Sequence, residues 1–332
     1  MRSLLRVIHL WFRVSVAVVR RVIRRLLLGP TLPSWMWRTD IVAAVARAAI
    51  DYAATVPDDR LINQFGLRVR APVPWALRNK VRVRRRTLAG RDVDRYVRVD
   101  TTPDAATILY FHGGGYVFGN PGTHRQHLAR LVHATRTTAY APRYRLAPRH
   151  PFPAALDDAR DEYRALLEAG TDPADVIVAG DSAGGGLAVA LLMSLRDGGE
   201  PLPCGSILFS PYTDLEHRGH TIVTNADTDY LPIDELSGPN RYYASAEQLR
   251  DPLVSPIHAD LHSLPRMLIF AGGAEMLLED SVQLHAHAQR DGVDSTLVIE
   301  PEMIHVWPAL APWEPASRRA LEAAAGWLAA GG

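Results

Sequence analysis

The sequence predicts an α/β fold with a doubly wound, mostly parallel sheet and a helical cap. From Ala106 onward, short apolar runs of strand length alternate with longer segments of helical pattern, as in a sheet with helices on both faces. The 332 residues are 47% hydrophobic, which is enough for one full core. We expect residues 1–75 to form cap helices, residues 76–332 to form the α/β domain, and a polar insertion at about 212–260 to complete the cap.

The segment Gly180-Asp181-Ser182-Ala183-Gly184 is the most informative stretch of the chain. It follows the apolar run at residues 176–179 and leads into another apolar run at residues 187–192. A G-x-S-x-G pattern between a buried strand and a helix is typical of a nucleophile elbow, where small residues permit the tight turn. The pattern therefore predicts that Ser182 is an exposed nucleophile at a helix N-terminus.

A glycine-rich loop follows an earlier strand pattern at residues 106–111. Its sequence is His112-Gly113-Gly114-Gly115-Tyr116, and glycines allow backbone N–H groups to approach a substrate closely. Acyl transfer passes through a tetrahedral oxyanion, and each preorganised donor there is worth about 3–4 kcal/mol. We expect an oxyanion hole whose donors come from the following set: Gly113, Gly114, Gly115 and Ala183.

An acid and a base are expected downstream of Ser182, in that order along the chain. Glu275 comes just after the apolar strand pattern at residues 267–271, and Asp280, five residues further on, is the alternative acid. Glu275 is favoured because catalytic groups lie just outside the carboxyl ends of strands in open α/β sheets. His305 follows the strand pattern at residues 296–299 and is the predicted base.

Other histidines carry no such pattern. His285 and His287 are two residues apart on a predicted helix and do not share a face. His124 and His127 do share a face, but no metal-binding motif accompanies them. We expect these four side chains to be packed or surface residues and predict no metal site and no cofactor.

The two glycine motifs resemble the hormone-sensitive-lipase-like branch of the α/β-hydrolases, the bacterial esterases with an HGGG loop and a GDSAGG elbow. Further blocks that resemble this branch lie at residues 144–148, 151–155, 210–215 and 251–256, so the resemblance covers about residues 80–330. Two positions depart from the family pattern. Glu275-Met276-Leu277 stands where the family often has Asp-Pro-Leu, and Arg149 stands where it commonly has Glu.

The resemblance implies an α/β-hydrolase fold and a serine carboxylesterase for small-molecule esters with short- to medium-chain acyl groups. In such an enzyme His305 would take the proton of Ser182, and Glu275 would orient the imidazole. A lactone or a bulky terpenoid or sterol ester is an alternative substrate, and a non-catalytic receptor of the same fold is an alternative of another class. Three aromatic residues near the motifs are either pocket or core residues: Tyr116, Tyr212 and Trp307.

The net charge of +1 hides an asymmetry between the N-terminus and the rest of the chain. Residues 1–39 contain eight arginines and no acidic residue, which makes them +8 and the remainder −7. A nucleic-acid-binding protein needs a basic patch on its folded body, so the acidic body argues against that function. Cys204 is the only cysteine, which excludes an intramolecular disulfide.

Residues 4–28 have the pattern of a basic amphipathic helix. The arginines that follow its apolar stretch, among them Arg20 and Arg24, argue against a cleaved signal peptide, and Arg13 interrupts the stretch. Two interpretations stay open: a cap helix over the active site, or a helix that lies in the interface of an anionic membrane. We expect a cytoplasmic protein, and the second interpretation would place residues 1–28 at the inner face of the membrane.

Overall fold

The computed structural model describes residues 2–54, 70–100, 106–231 and 241–331. Its strands are β1 (Val81–Leu88), β2 (Arg91–Arg98), β3 (Thr107–Phe111), β4 (Thr138–Pro142), β5 (Val176–Asp181), β6 (Gly205–Phe209), β7 (Met267–Gly272) and β8 (Ser295–Glu300). They form one sheet in the order β1-β2-β4-β3-β5-β6-β7-β8. Only the β1–β2 and β2–β4 pairs are antiparallel, which confirms the mostly parallel sheet that the sequence predicts.

The sheet begins with β1 at Val81, earlier in the chain than the strand pattern that starts at Ala106. β1 and β2 form an antiparallel hairpin at one edge of the sheet. Five of the eight residues of β1 are exposed, and four of these five are arginines. Charged residues on an edge strand hinder pairing with other chains, but they also remove the apolar run by which a buried strand is recognised.

The helices between and after the strands are α3 (Arg125–Thr135), α4 (Ala154–Glu168), α5 (Ala183–Asp197), α6 (Thr221–Thr224), α7 (Leu278–Arg290), α8 (Trp307–Leu310) and α9 (Pro315–Ala330). Side chains of β3 alternate between two cores. Leu109 and Phe111 pack with residues of α4, α5 and α7, whereas Ile108 and Tyr110 pack with residues of α3 and α9. Every residue of β3, β5, β6 and β7 is buried, as expected for strands covered by helices on both faces.

Two helices precede the sheet, α1 (Arg2–Leu28) and α2 (Trp37–Ala54). Buried Asp40 of α2 pairs with Arg21 and Arg25 of α1, which holds the two helices together. The segment around α2 is fastened to the α/β body, because Trp35 Nε1 donates to the Glu302 carbonyl at 2.5 Å and the backbone N–H of Met36 donates to Glu314 at 3.0 Å.

Parts of the expected cap, residues 55–69 and 232–240, lie outside the described residues. In the described part of the chain, no helix combines the length and the apolarity needed to cross a bilayer.

Candidate active site

Ser182 occupies the turn between β5 and α5, at the carboxyl end of the sheet. Its φ of 50° is a left-handed conformation that side chains rarely adopt, and its N–H donates to the Phe209 carbonyl of β6 at 2.9 Å. The turn requires glycine at Gly184, since a Cβ there would lie 2.0 Å from the Phe111 carbonyl oxygen. Ser182 is partly exposed while its neighbours are buried, so the elbow presents this residue to solvent.

Gly113 is not an available oxyanion donor, which corrects the expectation for this residue. Its N–H donates to Asp181 Oδ1 at 3.0 Å and is therefore already satisfied. Gly114 and Gly115 have φ values of 126° and 59°, are partly exposed, and donate no backbone hydrogen bond to any of the described residues. Ala183 is the first residue of α5, where a helix leaves its N–H groups without an intrahelical acceptor. Among the described residues, the N–H groups of Gly114, Gly115 and Ala183 therefore have no backbone acceptor.

The carboxylate of Asp181 links the glycine loop to the elbow through hydrogen bonds. Its Oδ1 accepts hydrogen bonds from Gly113 N–H and from the Tyr110 hydroxyl at 2.7 Å, and its Oδ2 lies 3.0 Å from Nε2 of His124. Burial alone would raise the pKa of Asp181, but His124 and the Tyr110 hydroxyl lower it well below its usual range. His124, expected to be a packed or surface residue, pairs with the carboxylate of the residue next to Ser182.

His305 follows β8 and is buried beside Glu275, which follows β7. The distance from His305 Nδ1 to Glu275 Oε2 is 3.9 Å, and neither ring nitrogen has a hydrogen-bond partner among the described residues. Burial alone would lower the pKa of His305, but the carboxylates around it, Glu275 first among them, raise it above its usual value. The two residues predicted as base and acid are therefore neighbours, at a distance slightly longer than a hydrogen bond.

Ser210, at the end of β6, fixes the position of Glu275. Its hydroxyl donates to Glu275 Oε2 at 2.6 Å and accepts from the Val306 N–H at 3.0 Å. The Gly272 N–H donates to the same Glu275 oxygen at 3.0 Å. Ser210 thereby connects Glu275 to the residue after His305, a contact that the motif at residues 210–215 does not predict.

Asp229 holds the same two loops from the side of the expected cap insertion. Its Oδ1 accepts from the backbone N–H of His305 at 3.2 Å, and its Oδ2 accepts from the Met276 N–H at 2.8 Å. Burial raises the pKa of Asp229 to about 6. Sequence reasoning missed this residue, because it lies in a polar segment with no strand pattern around it.

Asp280, the alternative acid, has different partners. Its Oδ2 accepts from the backbone N–H groups of Thr213 at 2.7 Å and Asp214 at 2.8 Å, and it therefore holds the loop after β6. Burial raises the pKa of Asp280 to about 7. Of the two carboxylates considered, Glu275 is the one that faces His305.

Of the two alternatives for the three aromatic residues near the motifs, pocket or core, burial in this structure favours the core for all three. Tyr116 and Tyr212 are each 2% exposed and Trp307 is fully buried. Tyr116 stacks on Tyr243 with ring centroids 3.8 Å apart, and Trp307 packs edge-on against Phe270. Near the glycine loop, Phe118 is an aromatic residue with an exposed ring.

Two clusters of carboxylates and histidine occur away from the site among the described residues. Asp214, Glu216 and His258 form one, and Asp260, His262 and Asp291 form the other. Arginine side chains also pair with each cluster, Arg250 with Glu216 and Arg290 with Asp291, so these clusters are accounted for as ion-pair networks.

Comparison with known proteins identifies the class. A family model described as the alpha/beta hydrolase fold matches residues 108–309, and the chain belongs to that family. An acetyl-hydrolase of Streptomyces hygroscopicus is 43% identical over 227 residues, which cover 68% of this chain and 76% of that protein.

Solved structures narrow the class to one branch. A crystal structure of an esterase from the bacterial hormone-sensitive lipase family matches with a TM-score of 0.79 at 34% identity, covering 89% of this chain and 98% of that one. A crystal structure of the protein EstE5 soaked with p-nitrophenyl butyrate matches with a TM-score of 0.77 at 34% identity, covering 87% and 98%. The resemblance to the hormone-sensitive-lipase-like branch is thereby confirmed.

Proposed function

We propose that this chain is a serine carboxylesterase that hydrolyses esters through an acyl-enzyme on Ser182. The observation that carries the proposal is the elbow: a strained, partly exposed serine stands at the N-terminus of α5, beside unpaired N–H groups of a glycine loop. A serine held in this way can attack a carbonyl group whose oxygen points at those donors. The names of the matched relatives, an acetyl-hydrolase and esterases, agree with this chemistry.

In the acylation step, the Ser182 oxygen attacks the ester carbonyl carbon while His305 removes the hydroxyl proton. The carbonyl oxygen gains the negative charge, and the N–H groups of Gly114, Gly115 and Ala183 stabilise it. Collapse of this intermediate breaks the bond to the alcohol oxygen. The alcohol leaves with the proton from His305, and the acyl group remains on Ser182.

In the deacylation step, water attacks the acyl group and gives a proton to His305. The second intermediate releases the carboxylic acid, and Ser182 recovers its proton. Glu275 holds the imidazole in the required tautomer and stabilises the imidazolium in both steps.

The proposed substrates are esters with short to medium acyl chains. A capped site limits chain length, and the cap is proposed to combine the N-terminal helices with the insertion at about 212–260. Contacts between the two support this: Arg47 of α2 donates to the carbonyls of Ala226 at 2.7 Å and Asp229 at 3.3 Å. Helix α2 therefore contacts the segment that also contacts His305.

Hydrolysis of p-nitrophenyl esters of increasing acyl length tests the proposal. We expect activity that peaks at short chains and that falls by about 10⁴-fold or more in Ser182→Ala. Ser194→Ala, in the same helix α5, is the matched control and should retain activity. Near-normal turnover in a folded Ser182→Ala protein would refute the assignment, and activity restricted to lactones or bulky-alcohol esters would change the substrate class.

A further inference from the structure

Helix α1 exposes a continuous stripe of large apolar side chains. Each side chain of this stripe is more than half exposed. The residues recur at spacings of three, four and seven, so they share one side of the helix. This outer stripe consists of Ile8, Trp11, Phe12, Val19, Ile23 and Leu26. A contiguous exposed apolar surface of this kind marks an interaction site, since isolated apolar residues are common on surfaces but stripes are not.

We propose that the outer stripe docks α1 flat on the surface of an anionic phospholipid bilayer. In this arrangement the apolar side chains enter the boundary between headgroups and acyl chains, and the helix axis lies parallel to the membrane. Trp11 and Phe12 are 66% and 65% exposed and are suited to that boundary.

The other side of α1 is fixed to the protein, which keeps the stripe facing outward. Arg21 and Arg25 contact Asp40, whose side chain has no exposed surface. Arg25 also donates to the Trp35 carbonyl at 2.8 Å and lies 4.7 Å from the ring centre of Trp37. Because rotating α1 to bury the stripe would leave buried Asp40 without its arginine partners, the exposed face is a stable feature of the fold.

The charge of the segment identifies anionic lipid as the partner. Arg20 and Arg24 are exposed one turn apart; Arg20 lies next to the edge of the outer stripe, and Arg24 lies almost opposite its centre. Long arginine side chains can reach headgroup phosphates while the helix lies in the interface, and each contributes to attraction by an anionic surface. The remainder of the chain carries −7 against +8 for residues 1–39, so an anionic surface attracts this segment and repels the body.

A second copy of the chain fits the stripe less well than lipid does. Two α1 helices packed through their outer stripes would bring two segments of charge +8 together. A transmembrane arrangement does not fit either, since no described helix is long and apolar enough. An interfacial helix satisfies both the apolar stripe and the arginines.

Flotation of the full-length protein with vesicles tests this proposal without any substrate, so it can fail independently of the esterase assignment. The vesicles are pure phosphatidylcholine or an equal mixture with phosphatidylglycerol. We expect binding to the anionic vesicles that weakens with salt. The double substitution Trp11→Glu/Phe12→Glu should lower the partition coefficient by about tenfold or more.

Trp75→Glu is the matched control, because Trp75 is an aromatic residue 83% exposed outside α1. This variant should bind like the wild type, and all variants should keep the circular-dichroism spectrum of the wild type, which shows that they fold. Arg20→Glu/Arg24→Glu should remove the preference for anionic over neutral vesicles. Equal flotation of wild type and Trp11→Glu/Phe12→Glu would overturn the proposal, as would a stripe-dependent dimer that does not float.

Discussion

The two halves of the candidate active site differ in how their groups are held. In the nucleophile half, Asp181 makes hydrogen bonds within 3.0 Å to the glycine loop and to the Tyr110 hydroxyl, directly next to Ser182. In the acid–base half, the nearest carboxylate oxygen is 3.9 Å from the His305 ring nitrogen. The hydrogen bonds of the first half are present in the structure, whereas the proposed hydrogen bond between His305 and Glu275 is not.

The difference follows from where each half lies in the fold. The nucleophile half sits on adjacent central strands, β3 and β5, whose residues are buried on both faces. The acid–base half sits on the loops after β7 and β8 at the edge of the sheet, held by single side chains from elsewhere. Catalytic hydrogen bonds are often long in the free enzyme and shorten as charge develops, so we expect the Glu275–His305 contact to shorten when the imidazole is protonated.

The largest expected effect in the acid–base half comes from Glu275→Gln. A neutral amide cannot stabilise the imidazolium, and kcat should fall by about 10³-fold. Asp280→Asn is the matched comparison: its amide oxygen can still accept from Thr213 and Asp214, so the loss should stay below about threefold. Steady-state kinetics on one ester decides between them, and a larger loss for Asp280→Asn would make Asp280 the acid.

The nucleophile half is tested by Asp181→Asn. An amide cannot serve as acceptor on both of its terminal atoms, so either the glycine loop or His124 loses its partner. We expect kcat to fall by about 10- to 100-fold with little change in KM, since the oxyanion donors would be less well positioned. Exposed Asp197→Asn serves as control. An unchanged kcat would mean that the glycine loop holds its position without this carboxylate.

The smallest change is expected in the pH dependence of Asp229→Asn. Because the amide also leaves one of the backbone N–H groups of Met276 and His305 without an acceptor, the readout is the position of the pH limb and not kcat. The Asp229 carboxylate is one of the charges that raise the pKa of His305, so removing it should lower that pKa. Because the base must be unprotonated, the acidic limb of the kcat/KM profile should move to lower pH, by about half a pH unit or more. Exposed Asp227→Asn, two residues away, should leave the limb in place. A limb that stays fixed or moves upward in Asp229→Asn would contradict this role.

The sequence was most informative for candidate residues in the turns and loops after strands. Ser182, Glu275 and His305 each lie within a few residues of an apolar run, and the carboxyl ends of parallel strands meet at one edge of a sheet. It could not show that the Gly113 N–H is occupied, because the acceptor is 68 residues away. The sequence also could not distinguish aromatic residues of a pocket from aromatic residues of the core, such as Trp307. The residue types are the same, and only their packing differs.

Asp229 was beyond sequence reasoning for a similar reason. Its partners Met276 and His305 are 47 and 76 residues away, and nothing in the surrounding segment marks it. Long-range contacts made by backbone N–H groups leave no pattern in the sequence, since every residue except proline carries the same donor.

The position of Asp229 also bears on how such enzymes can be recombined. A chimaera that exchanges the segment at about 212–260 for that of a relative, in order to change which esters fit, would also replace the carboxylate that binds the His305 backbone. A donor segment without an acid at this place would leave the backbone N–H groups of Met276 and His305 unpaired. A library of exchanged segments should therefore keep Asp229 constant.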